Sequence, residues 1–320
     1  MSKLNIIITD ASTVICDNDI SLDVFKQYGN LTLVDYTEPS DVAKTIKDAD
    51  IVLCNKTPLT AENMKDAKNL KFVGILATGY NNIDIEYAKS RGITVCNAGG
   101  YSTNSVAQHT FALLLELINK ISIYNKEVNE GRWMNNKIFT FFDHEIIELA
   151  GKTMGLVGCG HIGINVAKIA NAFNMKVLVY TRSGGKDTDM VKYVDFETLL
   201  KESDIISLHC PLNEQSKNLF NDETFAKMKD GAYFINTARG PIVNELALKK
   251  ALESGKLKGA GIDVLEVEPM KKDSPLLNVK NLIITPHVAW APKETRQRLV
   301  DLVADNVKYY LEGKPQNVIV

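Results

Sequence analysis

The 320-residue chain has few cysteines, few tryptophans, no long apolar run and almost no net charge. Its five cysteines are scattered and form no C-x-x-C pair, which argues against a disulfide framework and against a zinc site. A formal net charge of −2 supplies no basic field for nucleic acid or an anionic membrane. No run approaches the roughly 20 apolar residues of a membrane span, and the N-terminal run is too short for a signal peptide. These shortages predict a cytoplasmic protein that binds no metal, no nucleic acid and no membrane.

What the chain does have is a regular alternation of short apolar runs with longer amphipathic stretches. Runs that are apolar on both faces are typical of parallel sheets covered by helices. The first series is LNIIIT, LTLVDY, DIVLCN and KFVGIL; the second is TMGLVG, KVLVY, DIISLH, AYFINT, GAGID and LIITP. The pattern predicts the α/β class, with two Rossmann-like or flavodoxin-like domains, parallel sheets and a cleft between the domains.

Two long amphipathic segments accompany the two series of strands, one between them and one after the last strand. Apolar residues at helical spacing predict one helix over residues 101–131, long enough to bridge two domains. A second helix, from Pro292 to Gly313, would return the chain to the first domain. The predicted domains are therefore residues 1–98 together with 291–320, and residues 99–290.

A glycine motif follows the first strand of the second series. Gly158, Gly160 and Gly163 fit the G-x-G-x-x-G pattern between a predicted strand and a predicted helix. There the first glycine permits a tight turn, the second lets a pyrophosphate approach, and the third lets helix and strand pack closely. The helix start at His161 and Ile162 would attract the phosphates. The motif predicts a dinucleotide-binding domain; a glycine-rich turn without a ligand is the alternative.

The end of the next strand lacks the acidic residue that usually binds the ribose hydroxyls of NAD. Thr181, Arg182 and Ser183 stand there instead. A guanidinium can pair with a 2′-phosphate, and hydroxyl groups can donate to it. We therefore expect NADPH to be preferred, with NADH as the alternative donor. Arg182 as a solvated turn residue, with loose cofactor choice, is the competing interpretation.

Three further segments carry polar residues at predicted strand ends: N-T-A-R-G at 236–240, D-x-x-x-x-E-P at 263–269, and T-P-H at 285–287. Together with the glycine motif, they resemble the D-isomer-specific 2-hydroxyacid dehydrogenase family over nearly the whole chain. The segments NKTPLT, LATGYNNID, SVAQHTFALLLEL, ELAGKT and TPHVAWAPKETRQRL resemble its glycerate dehydrogenase/hydroxypyruvate reductase branch.

The resemblance implies that Arg239, Glu268 and His287 are catalytic. Reduction of a 2-oxo acid needs a hydride, a proton and an anchor for the carboxylate. Arg239 would hold the carboxylate and polarise the carbonyl group. His287 would donate the proton, and Glu268 would orient the imidazole and favour its charged form.

The resemblance also implies binding roles for other residues. Residues 99–290 would bind the dinucleotide, and the first domain would bind the substrate. Thr237, Ala238 and Asp263 would lie near the nicotinamide, and Cys210 and Pro211 near the adenosine. The backbone of Thr78, Gly79 and Tyr80 would bind the substrate carboxylate, and Lys56 would face the same cleft unless it is simply a solvated lysine.

The remaining candidates are weaker. His109, His144 and His209 are interpreted as packing or surface residues, and His161 as close to the pyrophosphate. Phe139, Phe141 and Phe142 are typical of a core, although in this branch the region resembles one at a homodimer interface.

The predicted partner is a small 2-oxo or 2-hydroxy acid of the hydroxypyruvate or glyoxylate class. Alternatives that stay open are pyruvate, a sugar or aromatic oxo acid, and a non-catalytic cofactor-sensing regulator of the same fold. Formate dehydrogenase is disfavoured because Glu268 is a carboxylate. Phosphoglycerate dehydrogenases with an appended regulatory domain are disfavoured because the last predicted helix ends at Gly313.

Overall fold

The computed structural model describes residues 3–320, which form two compact units. One unit combines the chain up to Ser102 with Trp290–Val320, and the other is Thr103–Ala289. The sequence pattern predicts boundaries at residues 98 and 291. That one unit binds the substrate and the other the dinucleotide stays a prediction.

The first unit is built on a five-stranded parallel sheet with strand order β2-β1-β3-β4-β5. Strands β3 and β4 are buried along their whole length, because helices and loops of the unit cover both faces. Its elements before residue 103 are β1 (Leu4–Ile8), β2 (Gly29–Leu33), α1 (Val42–Ile46), β3 (Ile51–Cys54), α2 (Ala61–Met64), β4 (Phe72–Ile75), α3 (Ile85–Ser90) and β5 (Thr94–Cys96).

The second unit is built on a seven-stranded parallel sheet with strand order β12-β11-β10-β9-β6-β7-β8. Its elements are α4 (Thr103–Asn119), α5 (Ile121–Asn129), β6 (Thr153–Val157), α6 (His161–Ala172), β7 (Lys176–Tyr180), β8 (Lys192–Tyr193), α7 (Phe196–Glu202), β9 (Ile205–Leu208), α8 (Asp222–Lys227), β10 (Ala232–Asn236), α9 (Glu245–Glu253), β11 (Leu257–Ile262) and β12 (Leu282–Ile284). Two parallel sheets with helices confirm the predicted fold class.

The strand order of the second unit reverses at β6. This strand lies between β7 and β9, so the chain leaves it in one direction and returns on its other side. Ligands of such sheets bind outside the carboxyl ends of the strands at this switch point. The glycine motif follows β6, and Cys210 and Pro211 follow β9, so both predicted cofactor segments belong to the switch point.

Helix α10 (Lys293–Leu311) brings the chain back to the first unit and covers its sheet. Leu299, Val300 and Val303 are fully buried in the same core as β1 and β3. The buried Arg296 donates from Nη1 to the carbonyl of Val14 at 2.8 Å and to Asp19 Oδ1 at 2.8 Å. The hydrogen bond from Arg296 lowers the pKa of Asp19 to about 2, so the pair stays ionised through the neutral range. α10 is thereby fixed to the loop that follows β1.

The single helix predicted over residues 101–131 is wrong, because the structure divides it at Lys120. Lys120 has a left-handed backbone, with φ 56°, and stands between α4 and α5. α4 buries apolar residues as far as Ile118, whereas α5 buries none. The break at Lys120 therefore comes directly after the last residues of α4 that are buried in the apolar core.

Two short strands, β5 and β8, are absent from the predicted series. Among the described helices, none has both the length and the apolar composition that a membrane crossing requires.

Candidate active site

The glycine loop between β6 and α6 is closed by backbone contacts. Gly158 has φ 99°, and a Cβ there would lie 2.7 Å from the amide nitrogen of Cys210 and from the carbonyl of His209. A Cβ on Gly163 would lie 2.5 Å from the carbonyl oxygen of Gly158. Only glycine fits these two positions, because backbone atoms cannot move aside as a side chain can.

Gly160 differs from its two neighbours in the motif. It has an ordinary φ of −77°, is exposed, and a Cβ there would meet no atom within 4 Å. Gly160 is also the N-cap of α6, which receives no side-chain cap. His161 and Ile162 open the helix, and His161 is exposed. Open backbone at an uncapped helix start fits a pyrophosphate group, so these residues are suited to the phosphates of a dinucleotide.

The turn after β7 presents the residues that the sequence pattern links to cofactor choice. Thr181 Oγ1 donates to the carbonyl of Gly184 at 2.7 Å and closes the turn. Arg182 and Ser183 are exposed. The Arg182 guanidinium donates to the side-chain oxygen of Gln215, a residue of the loop after β9 that the sequence pattern did not single out.

His209 and Cys210 follow β9 and face the glycine loop. His209 Nε2 lies 2.9 Å from Ser207 Oγ, and burial lowers the pKa of His209 to about 3. A neutral imidazole cannot act as a cationic phosphate ligand, in agreement with its interpretation as a packing residue. Burial also raises the pKa of the Cys210 thiol, while Pro211 is exposed.

Arg239 stands in a loop after β10 that is closed by the side chain of Asn236. The Asn236 amide accepts from the Ala238 nitrogen and donates to the Arg239 carbonyl, each at 3.0 Å. The Arg239 guanidinium donates to the carbonyl of Ala238 at 2.7 Å. Thr237 is buried, with its hydroxyl 3.1 Å from that of Thr110 on α4.

Gly240 brings this loop against the segment that carries Glu268. A Cβ on Gly240 would lie 1.9 Å from the carbonyl carbon and oxygen of Leu265. The amide nitrogen of Leu265 in turn donates to Glu268 Oε1 at 2.9 Å. The loops of Arg239 and Glu268 are therefore in direct backbone contact, which explains why glycine follows the arginine.

Glu268 and His287 form a hydrogen-bonded pair. Glu268 Oε2 lies 2.7 Å from His287 Nδ1, and both side chains are partly exposed. His287 has φ 55°, a conformation that costs a residue with a Cβ about 1–3 kcal/mol unless its surroundings enforce it. The carboxylate fixes one ring nitrogen, so Nε2 is the nitrogen left to face a reactant.

Asp263 holds the backbone beside His287. Its buried carboxylate accepts from the Thr285 hydroxyl at 2.6 Å and from the amides of Val288 and Ala289, each at 2.9 Å. The His287 amide donates to the Thr285 carbonyl at 2.9 Å. His109, interpreted from the sequence as a packing or surface residue, belongs to the same network, because its Nε2 lies 2.9 Å from Thr285 Oγ1. A histidine inside an amphipathic pattern gives no sequence signal for this contact.

Apart from Arg239 and His287, the predicted substrate residues belong to the first unit. The buried carboxylate of Asp10 accepts from three successive amides, those of Asn55 at 2.9 and 3.1 Å, Lys56 at 2.5 Å and Thr57 at 2.8 Å. The sequence analysis did not single out Asp10, although this polar residue follows β1 just as the other candidate residues follow their strands.

The second predicted substrate segment follows β4. Thr78 Oγ1 donates to the carbonyl of Ala98 at 2.8 Å, and the Tyr80 carbonyl accepts from the amide of Ile83 at 3.0 Å. Gly79 lies between them, partly exposed, and the Tyr80 side chain is 42% exposed. The first contact ties the loop to the segment after β5, and the second closes the turn that follows the loop.

Outside the site, the aromatic cluster does not form a core. Phe139 is 87% and Phe142 is 73% exposed, so the interpretation as core residues is wrong for both. Phe141 is half-buried against Tyr124 and the Arg132 guanidinium. His144 pairs with Glu127 at 2.9 Å. No metal-binding group of histidine, cysteine or carboxylate side chains occurs within residues 3–320.

A family model described as "D-isomer specific 2-hydroxyacid dehydrogenase, NAD binding domain" matches residues 111–289. The chain belongs to the D-isomer-specific 2-hydroxyacid dehydrogenase family. It is therefore an oxidoreductase that uses a nicotinamide dinucleotide and interconverts a small 2-oxo acid and a D-2-hydroxy acid. The match confirms the predicted family and enzyme class.

Individual relatives agree with this assignment. The chain is 46% identical over 285 residues to a hydroxypyruvate reductase from Blautia hydrogenotrophica, covering 88% of each chain. It is 42% identical over 286 residues to a glycerate dehydrogenase from Methylorubrum extorquens, again covering 88% of each. Among solved structures, an acyclic imino acid reductase in complex with NADPH and D-Arg is similar, with TM-score 0.86 and 31% identity, covering 99% of this chain and 100% of that one.

The open space at Gly160 gives a prediction that separates binding from folding. In Gly160→Ala the new Cβ meets nothing in the chain, so the thermal midpoint should equal that of the wild type. The dissociation constant for NADPH, measured by nicotinamide fluorescence, should rise by about tenfold or more, because the methyl group would lie where the pyrophosphate is predicted to approach. Gly99→Ala, also into open space, is the matched control and should change neither quantity. Unchanged NADPH binding in Gly160→Ala would exclude a pyrophosphate at this position.

Proposed function

We propose that the chain reduces hydroxypyruvate or glyoxylate to the corresponding hydroxy acid, the D isomer in the case of hydroxypyruvate, with NADPH as the preferred hydride donor. The observation that carries this proposal is the Glu268–His287 pair, whose hydrogen bond leaves one imidazole nitrogen for proton transfer. The names of the relatives from Blautia hydrogenotrophica and Methylorubrum extorquens support the substrate class.

His287 would donate the proton. With Nδ1 held by the Glu268 carboxylate, the proton available to a substrate is the one on Nε2. In reduction, Nε2 gives this proton to the carbonyl oxygen of the 2-oxo acid, and in oxidation it takes the hydroxyl proton back. The nicotinamide, when bound, supplies or accepts the hydride. The Glu268 carboxylate, hydrogen-bonded to Nδ1, would stabilise the imidazolium that exists before reduction and after oxidation.

Arg239 would hold the carboxylate of the substrate. Its planar guanidinium can donate two parallel hydrogen bonds to a carboxylate, which fixes the direction of the adjacent carbonyl group. The Asn236 side chain and the contact of Gly240 with Leu265 support the loop that carries Arg239. The backbone of Thr78, Gly79 and Tyr80 and the Lys56 ammonium are proposed as further carboxylate ligands in the first unit.

The cofactor proposal combines open backbone with a basic side chain. The pyrophosphate would lie against Gly158, Gly160, His161, Ile162 and Gly163. The 2′-phosphate would lie against Thr181, Arg182 and Ser183. Cys210 and Pro211 would contact the adenosine, and Thr237, Ala238 and Asp263 would lie near the nicotinamide. NADPH bound to the structurally similar imino acid reductase supports the phosphorylated cofactor, and NADH is the alternative donor.

A panel of 2-oxo acids tests the reaction. The wild type should reduce hydroxypyruvate or glyoxylate faster than pyruvate or an aromatic or sugar oxo acid. His287→Ala should lower kcat by about 10²–10⁴-fold, because the proton donor is lost, and leave the NADPH dissociation constant unchanged. Glu266→Gln, an exposed carboxylate nearby in sequence, is the control and should keep normal turnover. Normal kcat in His287→Ala would remove this residue from the mechanism, and a faster pyruvate reaction would replace the proposed substrate class.

Cofactor preference is tested at Arg182. Arg182→Ala should lower kcat/KM for NADPH by about 10–100-fold, the value of one or two charged hydrogen bonds, and change that for NADH little. Lys201→Ala removes an exposed cation on α7 and should leave both values unchanged. The proposal fails if the NADPH/NADH ratio is the same in Arg182→Ala, or if the wild type favours NADH tenfold.

We further propose that the protein is a homodimer. The segment that begins with α5 exposes large apolar side chains, at 53% for Trp133, 82% for Met134 and 87% for Phe139. Several large apolar side chains exposed within one segment are typical of protein interfaces. Sedimentation equilibrium should give twice the 35.5 kDa of one chain, and Met134→Asp should lower the mass. A mass of 35.5 kDa for the wild type would contradict the proposal.

Cytoplasmic location stays a prediction from the sequence, which imaging of a tagged chain would test.

A further inference from the structure

We infer that His109 of α4 is a positioning residue for the acid–base histidine. It acts through Thr285 and Asp263 on the backbone at both sides of His287, and the inference rests on the proposed role of His287. The catalytic residues follow β10, β11 and β12, whereas His109 comes from a helix packed against that sheet.

Close packing of α4 on β11 brings His109 to the strand ends. Gly261 of β11 leaves room for the helix, because a Cβ there would lie 2.9 Å from Leu113 Cβ. His109 precedes Leu113 by four residues, and residues at this spacing share one face of a helix. The side chain therefore extends along the sheet toward the carboxyl end of β11, where Asp263 and Thr285 lie.

The donors and acceptors in this network have one consistent arrangement. The Thr285 hydroxyl donates to Asp263 Oδ1 at 2.6 Å, and its single proton is therefore committed to that carboxylate oxygen. The same oxygen of Thr285 lies 2.9 Å from His109 Nε2 and must then accept from it. His109 Nε2 carries the proton and also lies 3.5 Å from Asp263 Oδ1. The imidazole thus fixes Thr285 and Asp263 relative to α4.

The other end of the network sets the backbone around His287. The Asp263 carboxylate accepts hydrogen bonds from the amides of Val288 and Ala289, and the His287 amide donates to the Thr285 carbonyl. These bonds hold His287 at φ 55°, which a side-chain-bearing residue otherwise avoids. In that conformation Nδ1 reaches Glu268 at 2.7 Å. Loss of the anchor at His109 frees the Thr285 and Asp263 side chains, so the imidazole spends less time in its reactive orientation.

The kinetic experiment compares His109→Leu, which removes the donor, with His109→Gln, which places an amide nitrogen at the same distance along the side chain. His109→Leu should lower kcat about tenfold or more, with KM and the NADPH dissociation constant changed by less than about threefold, because orientation and not binding is affected. His109→Gln should recover most of kcat. Gln108→Leu, at the exposed neighbouring position on α4, is the control and should behave as wild type.

A double mutant tests the route through Thr285. If His109 acts through that hydroxyl, His109→Leu combined with Thr285→Val should be about as slow as Thr285→Val alone. The inference is overturned if the double mutant loses kcat by the product of the two single losses. It is also overturned if kcat of His109→Leu is within about twofold of wild type, or if His109→Gln is as slow as His109→Leu.

Amide hydrogen exchange gives a second readout that needs no turnover. The amides of Val288 and Ala289 should exchange about tenfold or more faster in His109→Leu than in wild type and return toward the wild-type rate in His109→Gln. Equal exchange in all three proteins overturns the inference even where kcat falls. If the wild type reduces none of the 2-oxo acids, the proposed function fails by itself, and the exchange rates still decide whether His109 holds this loop.

Discussion

The buried carboxylate of Asp263 is the constraint on which the arrangement of the second unit's site depends. It accepts hydrogen bonds from one hydroxyl and two backbone amides of the segment after β12. Hydrogen bonds to a charged group are worth about 1.5–3 kcal/mol each. That sum exceeds the cost of a left-handed residue at His287. The position of the imidazole is thus set by backbone hydrogen bonds and only then refined by Glu268.

The remaining parts of the site are assembled by close backbone approach. Gly158 fits against the His209–Cys210 peptide, and Gly240 fits against Leu265. These two glycines connect the ends of β6 and β9, and the loops after β10 and β11. Parallel strands deliver the loops to one edge of the sheet, but the absence of two side chains allows the loops to touch. The same sheet therefore carries both the proposed phosphate loop and the proposed acid–base pair without further secondary structure.

The sequence predicted what depends on local pattern. Apolar runs of five or six residues gave the two sheets, and the spacing of Gly158, Gly160 and Gly163 gave the loop. The order of Arg239, Glu268 and His287 gave the family. Contacts between elements distant in the chain were missed, because periodicity reports which face is buried and not what lies opposite. His109, Asp10 and Gln215 are of this kind. The break at Lys120 was missed for a related reason, since helical spacing continues past the point where support from the core ends.

The return of α10 to the first unit has a consequence for the order in which a nascent chain can fold. Leu299, Val300 and Val303 complete a core whose strands were synthesised first, and Arg296 closes on Asp19 only when both exist. All of Thr103–Ala289 must leave the ribosome before this helix does. Domains usually fold in the order of synthesis, but here the unit that starts first is completed last. During that interval the face of its sheet that α10 covers in the folded protein stays exposed, and transiently exposed apolar surface of this kind is prone to aggregation.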